Sequence, residues 1–301
     1  MSGGDVTFGT LTTASGLAST TANVIFNGVA TLGAGNTGTT LNKNVTLSGA
    51  TINSAGTVAL GDTAGDVITL NTGLVTLTGS GAYTVNGAMT GAQRLALQGA
   101  GTKTFVSTAD VTGFTQDALS GTVTFQDNVT TSGVSVFAAS TVLDGMTFTA
   151  NGAGVLGATT MNGVTLSTGL VTLAGAGNYT VNGAMTGSQV LTLNDAGTKT
   201  FASTANIAGF AQVDGTGMAT FQGNVTTSGA STFNSLVTLS GMTFSAGGLT
   251  ILGNAAGDTI TLNTGMVTLG GSGAYISNGV MTGAQALTLA GNNSKTFNCW
   301  T

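Results

Sequence analysis

Short runs of alternating hydrophobic and polar residues follow one another along the whole chain. Val-Thr-Leu at 75–77, Tyr-Thr-Val at 83–85 and Lys-Thr-Phe at 103–105 are typical, and glycine, Asn-Gly or Ser-Gly flanks such runs. Alternation with a period of two predicts strands that bury one side, and the flanking residues favour tight turns. The pattern therefore predicts an all-β protein built from very short strands.

The same pattern returns at a longer interval of 96 residues. Residues 71–107 match residues 167–203 at 27 of 37 positions without a gap, and a third copy begins at residue 263. The Lys-Thr-Phe run ends at equivalent phenylalanines in the three copies: Phe105, Phe201 and Phe297. The chain thus divides into three super-repeats, at about 8–104, 105–200 and 201–296, followed by a tail at 297–301.

Inside each super-repeat, residues of similar type recur about 20 positions apart, so we expect about five coils of about 19 residues. Such repeats are typical of a β-solenoid, in which the parallel strands of successive coils stack. We predict a single continuous solenoid over residues 1–301, with about fifteen coils and a length on the order of 70 Å. A β-sandwich or an up-and-down barrel is the alternative, but neither explains three units that align without gaps.

The composition agrees with this fold and excludes several partners. The chain has 50 Gly and no Pro, as expected if every backbone N–H is needed for stacking. Its net charge of −5 comes from ten Asp against five Lys and Arg, spread thinly, so we expect no nucleic acid partner. No apolar run reaches the length of a membrane span, and no signal peptide pattern opens the chain. Membrane insertion is therefore not predicted.

Few residues could carry chemistry. The chain has no His and one Cys, which excludes a Ser-His-Asp arrangement and the usual zinc sites. No Asp recurs in all three super-repeats, so we predict no enzyme activity, no cofactor and no metal. The segments at 61–70 and 253–262 contain Asp62, Asp66 and Asp258 in Gly-rich surroundings that faintly resemble calcium turns. Calcium turns normally recur in consecutive coils, so ordinary turns are expected here.

Three other residue types recur at the 96-residue interval. Lysines at 103, 199 and 295 are expected to be exposed and to keep one side soluble. The tyrosines and methionines are expected to pack inside, with a carbohydrate-stacking stripe as the alternative for the tyrosines. They are Tyr83, Tyr179, Tyr275, Met89, Met185 and Met281. Thr-x-Thr motifs are interpreted as outward strand residues, because an ice-binding face would need them in register on nearly every coil.

The style of the repeats resembles a known group of proteins. The stretches "VIFNGVATLGAG", "TVTFQDNVTTSG", "ATFQGNVTTSG" and "VTLSGATINSAGTVALG" are similar to the Thr/Gly/Asn-rich repeats of filamentous-haemagglutinin-like adhesins and autotransporter passengers. This resemblance implies a right-handed parallel β-helix exposed at the surface of a bacterial cell or outside it. The secretion domain and the outer-membrane barrel of such adhesins are not seen in this sequence.

The ends of the solenoid are the predicted functional regions. A solenoid end without a polar cap exposes unpaired backbone groups, and a head-to-tail contact that does not close produces a fibre. We therefore predict a structural subunit of an extracellular filament whose partner is another copy of itself. Its interface would use both ends, roughly residues 1–26 and 286–301. The candidate interface residues are Val6, Phe8, Leu11, Leu287, Leu289, Phe297, Cys299 and Trp300.

Two other functions remain open from the sequence. The chain could be an adhesin or phage-fibre stalk segment that binds a glycan or a host receptor through a lateral face. An ice-binding protein is the third hypothesis. Phe8 and Phe297 lie at about the same position of the 96-residue repeat. This suits a stackable subunit and an excised stalk segment equally. Whether Cys299 forms an intermolecular disulfide is also left open.

Overall fold

The computed structural model describes residues 4–19, 21–215 and 217–298. These residues form no helix, and about half of the chain lies in short strands. The contacts divide the chain into two compact units, Met1–Val142 and Leu143–Thr301, which together contain about 14 turns of stacked parallel coil. The predicted β-solenoid is confirmed, whereas its description as one continuous body stays a prediction.

The strands of the first unit are mostly three or four residues long. They are β1 (Val6–Phe8), β2 (Leu11–Thr13), β3 (Ala18–Ser19), β4 (Val24–Phe26), β5 (Val29–Leu32), β6 (Thr39–Leu41), β7 (Val45–Ser48), β8 (Thr51–Ser54), β9 (Val58–Leu60), β10 (Val67–Thr72), β11 (Val75–Thr78), β12 (Tyr83–Val85), β13 (Ala88–Leu97), β14 (Lys103–Phe105), β15 (Ala109–Gln116), β16 (Val123–Phe125), β17 (Val129–Thr131) and β18 (Ser135–Phe137). Strand β19 (Thr141–Leu143) spans the boundary between the units.

The second unit continues with strands of three to five residues. They are β20 (Thr147–Ala150), β21 (Gly154–Leu156), β22 (Val164–Leu166), β23 (Val171–Ala174), β24 (Tyr179–Val181), β25 (Met185–Gly187), β26 (Val190–Leu193), β27 (Lys199–Phe201), β28 (Ala205–Ile207), β29 (Gly209–Gln212), β30 (Ala219–Phe221), β31 (Val225–Thr227), β32 (Ser231–Phe233), β33 (Val237–Leu239), β34 (Thr243–Ala246), β35 (Thr250–Leu252), β36 (Thr259–Leu262), β37 (Val267–Gly271), β38 (Tyr275–Ser277), β39 (Val280–Thr282), β40 (Leu287–Leu289) and β41 (Lys295–Phe297).

Each turn of the first unit contributes one strand to each of three parallel ladders. The first ladder begins with β1, β4 and β7, the second with β2, β5 and β8, and the third with β3, β6 and β9. The long strands β13 and β15 each pass a corner, so that each contributes to two ladders. The first unit is therefore a three-sided coil.

The second unit has the same arrangement. One ladder runs from β20 through β23 and β26 to β41, the next from β21 through β24 to β39, and the third from β22 through β25 to β40. Paired residues of neighbouring turns are between 18 residues apart, as in Ala219 and Val237, and 25 residues apart, as in Gly154 and Tyr179. Turns of unequal length thus stack in register because the differences are absorbed at the corners.

The super-repeat does not correspond to a whole number of turns. Within the second unit, Tyr179 lies in β24 and its equivalent Tyr275 lies in β38, which is 14 strands further along the chain. With three strands to a turn, this is four and two-thirds turns, and β24 and β38 indeed belong to different ladders. This number is close to the expected five coils. Because it is not whole, the later copy lies on a different side of the coil.

Alternation within the strands builds the core. In most strands the first and third side chains are buried and the middle one is partly exposed, as in Tyr-Thr-Val of β24. Phenylalanines on successive turns stack in the interior, and the ring centroids of Phe201 and Phe221 lie 5.0 Å apart at 11°. Phe210 packs edge-on against both rings, with centroids 5.2 and 5.0 Å away. Such pairs add stabilisation beyond the apolar area that they bury.

Glycines at the corners let the backbone of one turn lie directly on the backbone of the previous one. A Cβ atom on Gly101 would lie 1.8 Å from the carbonyl oxygen of Gly81, and one on Gly177 would lie 1.7 Å from that of Gly152. These distances leave no room for a side chain. Close stacking at these corners therefore requires glycine.

Candidate functional site

The first turn of the first unit has a free edge. Strands β1, β2 and β3 pair with β4, β5 and β6, and no other described strand pairs with their opposite edge. The predicted interface residues Val6, Phe8 and Leu11 lie on these strands and are half-buried. Val6 and Phe8 also line a shallow pocket with Leu17 and Val24. The apolar interior of this turn is therefore in contact with solvent.

The last turn of the second unit has the opposite free edge. Strands β39, β40 and β41 pair with β36, β37 and β38, and no described strand follows them. Leu287 is half-buried, while Leu289 is 49 % and Phe297 is 36 % exposed. Cys299 and Trp300, the remaining predicted interface residues, lie outside the described residues. The structure thus groups the other six into two edges.

The backbone groups of the first edge alternate in direction. The Val6 N–H donates to the Asn23 carbonyl (2.9 Å), and the Asn27 N–H donates to the Phe8 carbonyl (2.8 Å). Successive residues of a strand point their backbone groups toward opposite neighbours. The N–H and C=O of Thr7 therefore face the free edge of β1.

The same alternation sets the other edge. The Ser294 carbonyl accepts a hydrogen bond from β38 (3.0 Å), and the Asn298 N–H donates one to β38 (2.8 Å). The N–H and C=O of Lys295 and Phe297 consequently face the free edge of β41. Both edges offer the donors and acceptors that a further parallel strand needs.

Two of the recurring lysines are buried, so the expectation that they are exposed was wrong. Lys103 is 0 % exposed. Its Nζ donates to the carbonyl oxygens of Gly99 (2.9 Å), Gly101 (2.7 Å) and Gln98. Because Thr104 points outward, the alternation of Lys-Thr-Phe turns both Lys103 and Phe105 inward. Backbone carbonyls of the preceding corner then replace water around the ammonium group.

Lys199 repeats this arrangement in the second unit. It is 2 % exposed, and its Nζ donates to the carbonyl oxygens of Asp195 (2.7 Å) and Asn194. Strand β30 covers it, as β16 covers Lys103. A carbonyl cage closed by the next turn is thus a recurring structural element. The acceptors of this cage leave no side-chain motif in the sequence because they are main-chain atoms, so only the recurring lysine marks it.

Lys295 is the third copy of this element and is left incomplete. Its Nζ lies 3.3 Å from the Gly291 carbonyl oxygen, 3.0 Å from that of Asn293 and 6.0 Å from the ring centroid of Tyr275. No described strand covers β41, and Lys295 remains half-buried. The free edge of the last turn therefore carries a partly formed cage.

Because two lysines are buried, the stability of the fold is expected to change with pH in the alkaline range. Burial lowers the pKa of Lys103 and of Lys199 from 10.5 to about 8, against the opposing charges of Asp117 and Asp195 respectively. Between pH 8 and 10 the unfolded chain then binds more protons than the folded chain. We therefore expect the free energy of unfolding to rise in this range, by roughly 1–2 kcal/mol per lysine.

Above pH 10 the tyrosines reverse the trend. Burial raises the pKa of Tyr83 and Tyr179 and brings that of Tyr275 to about 12, so the folded chain retains protons that the unfolded chain loses. Urea titrations from pH 7 to 11.5 should show maximum stability near pH 10. The Lys103→Met, Lys199→Met double variant is the control that should lose the rise, and a flat profile of the native protein would contradict the assignment.

The tyrosines pack inside, as predicted. Tyr83, Tyr179 and Tyr275 are at most 1 % exposed, so they offer no ring for a sugar to stack on. The Tyr83 hydroxyl lies 2.7 Å from the carbonyl oxygens of both Ile52 and Thr78, which links successive turns. Met89 and Met185 are also buried, while Met281 on the last turn is half-buried.

Threonines form the outward middle position of many strands, as predicted. In the second unit they line up on six successive turns, at Thr180, Thr200, Thr220, Thr238, Thr261 and Thr282. Thr220 and Thr238 are nevertheless buried, at 8 % exposure, whereas the other four are partly or fully exposed. A second threonine completes a Thr-x-Thr motif in this rank only at Thr198 and Thr259, so the paired motif is absent from most of these turns.

The acidic turns close on themselves. The Asp66 carboxylate accepts hydrogen bonds from the N–H groups of Asp62 (2.9 Å) and Thr63 (3.0 Å), and the Asp258 carboxylate accepts two equivalent bonds. Asp66 and Asp258 thus each close a hydrogen-bonded turn. Among the described residues there is no group of three or more Cys or Asp side chains that could hold a metal ion.

The described residues contain no helix that is long and apolar enough to cross a membrane. In comparisons with known proteins, no family model, curated protein or solved structure matches the chain.

Proposed function

We propose that the protein is a structural subunit that assembles end to end into an extracellular filament by adding the first turn of one copy to the last turn of another. The supporting observation is the pair of free edges at β1–β3 and β39–β41, where apolar side chains reach solvent and backbone groups face outward. Pairing such edges extends a parallel ladder without any change of fold. The extracellular, bacterial setting rests on the resemblance of the repeats to surface adhesins.

A lateral binding face has less support. The recurring tyrosines are buried, and equivalent residues of successive super-repeats lie in different ladders. A chemical feature that recurs every 96 residues therefore does not form a stripe along one side. We propose no catalytic role and no cofactor, because the strands of the free edges carry only apolar side chains, threonines, one serine and one lysine.

Negative-stain microscopy of the purified protein across a wide concentration range tests the proposal. We expect filaments from the native chain and only short particles from a Thr7→Pro variant. Proline removes the N–H that faces the free edge and leaves the hydrogen bonds from β1 to β4 in place. Thr7→Val keeps this N–H and is the matched control that should still assemble. Short particles alone from the native protein would refute the proposal.

A further inference from the structure

The interior of the protein shows what covers a Lys-Thr-Phe strand. In the first unit, β14 is covered by Val-Thr-Phe of β16, with Lys103 beside Val123 and Phe105 beside Phe125. In the second unit, β27 is covered by Ala-Thr-Phe of β30 in the same register. The paired phenylalanine rings stack in both places, with centroids 5.0 Å apart at 22° and 11°. A strand that ends in Thr-Phe thus covers Lys-Thr-Phe in both places.

The third Lys-Thr-Phe strand is β41, and it lies at the free edge of the last turn. The free edge of the first turn belongs to β1, whose sequence Val-Thr-Phe is identical to that of β16. At one edge, β41 has the sequence of β14. At the other edge, β1 has the sequence of β16, the strand that covers β14.

The backbone directions of the two edges are complementary. Between β14 and β16, the Lys103 N–H donates to the Thr122 carbonyl (3.0 Å) and the Gln126 N–H donates to the Phe105 carbonyl (2.9 Å). The backbone groups of Lys103 and Phe105 thus pair with those of Thr122, Thr124 and Gln126. Likewise, the backbone groups of Lys295 and Phe297 face the free edge of β41, and those of Thr7 face the free edge of β1. A shift by one residue would bring the wrong groups together and turn the side chains inside out.

We propose that β1 of a second copy of this chain pairs with β41 in one fixed register, with Val6 on Lys295, Thr7 on Thr296 and Phe8 on Phe297. This inference rests on the proposed end-to-end assembly and names its contact. Phe8 then stacks on Phe297 as Phe125 does on Phe105. The added strand also covers Lys295, so that its partly formed cage is closed as it is at Lys103 and Lys199.

Disulfide trapping tests the register. Adjacent strands bring equivalent residues within the Cα distance that a disulfide spans. Two proteins are prepared in a Cys299→Ser background, one with Thr7→Cys and one with Thr296→Cys, and mixed under mild oxidation. Because each carries one cysteine, a disulfide between positions 7 and 296 must join two molecules. Thr288→Cys, on β40 of a different ladder, replaces Thr296→Cys in the matched control. We expect at least ten times more disulfide between positions 7 and 296 than between positions 7 and 288.

Lysine labelling of the unsubstituted protein gives an independent readout. An amine-reactive ester followed by mass spectrometry compares dispersed protein with assembled protein. Lys43 is exposed and should react in both states, whereas the buried Lys103 and Lys199 should react slowly in both. Labelling of Lys295 should fall at least tenfold on assembly, because the second copy covers it.

The outcomes separate the register from the assembly itself. Filaments in which Lys295 reacts as fast as in dispersed protein, or in which the Thr288→Cys control crosslinks as well as Thr296→Cys, would overturn the register and leave the assembly standing. Absence of both filaments and crosslinks would overturn both. Crosslinking at Thr296→Cys together with protection of Lys295 would support the inference.

Discussion

Replacing Phe201 with alanine is expected to lower the free energy of unfolding by about 3–5 kcal/mol. Its ring is 1 % exposed. It stacks on Phe221 and packs edge-on against Phe210, with centroids 5.0 and 5.2 Å away. Removal of the ring leaves a cavity that the stacked backbone cannot fill, because the hydrogen-bonded ladders hold the turns at a fixed spacing. Urea unfolding followed by circular dichroism measures the loss.

Phe297→Ala is the matched control. It changes the same residue of the same Lys-Thr-Phe sequence, but at a strand that no described strand covers, where the ring is 36 % exposed. In dispersed protein we expect a smaller loss of about 1–2 kcal/mol, because part of the ring is already in contact with solvent. Equal losses at the two positions would show that burial by the next turn is not what stabilises the ring.

Gly177→Ala is expected to destabilise the second unit by about 3 kcal/mol or more. The added Cβ would lie 1.7 Å from the carbonyl oxygen and 2.6 Å from the carbonyl carbon of Gly152. Both are backbone atoms of the neighbouring turn, so no side chain can rotate away to relieve the overlap. The Gly177 N–H also donates to the Ala150 carbonyl (2.8 Å), and separation of the turns would break this bond.

Gly257→Ala provides the comparison in the same unit. A Cβ at this position has no other atom within 4 Å, so we expect a change of less than about 0.5 kcal/mol. Hydrogen exchange of the amides around Tyr179 would locate the damage in Gly177→Ala. A stability close to that of the native protein would show that the turns can separate freely at this corner.

The fold class could be predicted because the information is local. Alternation over three residues, such as Tyr-Thr-Val at 83–85, determines which side chains enter the core, and flanking glycines determine where the chain bends. Recurrence then indicates stacking. The packing of the tyrosines and the turn role of Asp66 followed from the same local rules.

The number of turns in a super-repeat could not be predicted as well. Neighbouring turns differ in length by up to seven residues, from 18 between Ala219 and Val237 to 25 between Gly154 and Tyr179. The difference lies in corner segments that have no regular pattern. The average spacing of the repeats therefore predicts a number of turns close to the observed one. It does not predict which strands lie on the same side of the coil.

The buried lysines were missed for a different reason. Lysine generally prefers the surface, whereas the alternation of side chains along β14 places Lys103 on the same side as the buried Phe105. Alternation prevailed because the corner carbonyls of Gly99 and Gly101 satisfy the ammonium group. The available signal was the recurring position of the lysine two residues before a core phenylalanine.

The advance of each super-repeat by four and two-thirds turns shows that the three sides of the coil are interchangeable environments. Tyr179 and Tyr275 lie in different ladders, yet their hydroxyls contact equivalent carbonyl oxygens, those of Phe148 and Phe244, at 2.5 and 2.6 Å. A repeated segment of this fold can therefore begin on a different side of the coil and keep the same contacts, provided that it contains whole strands.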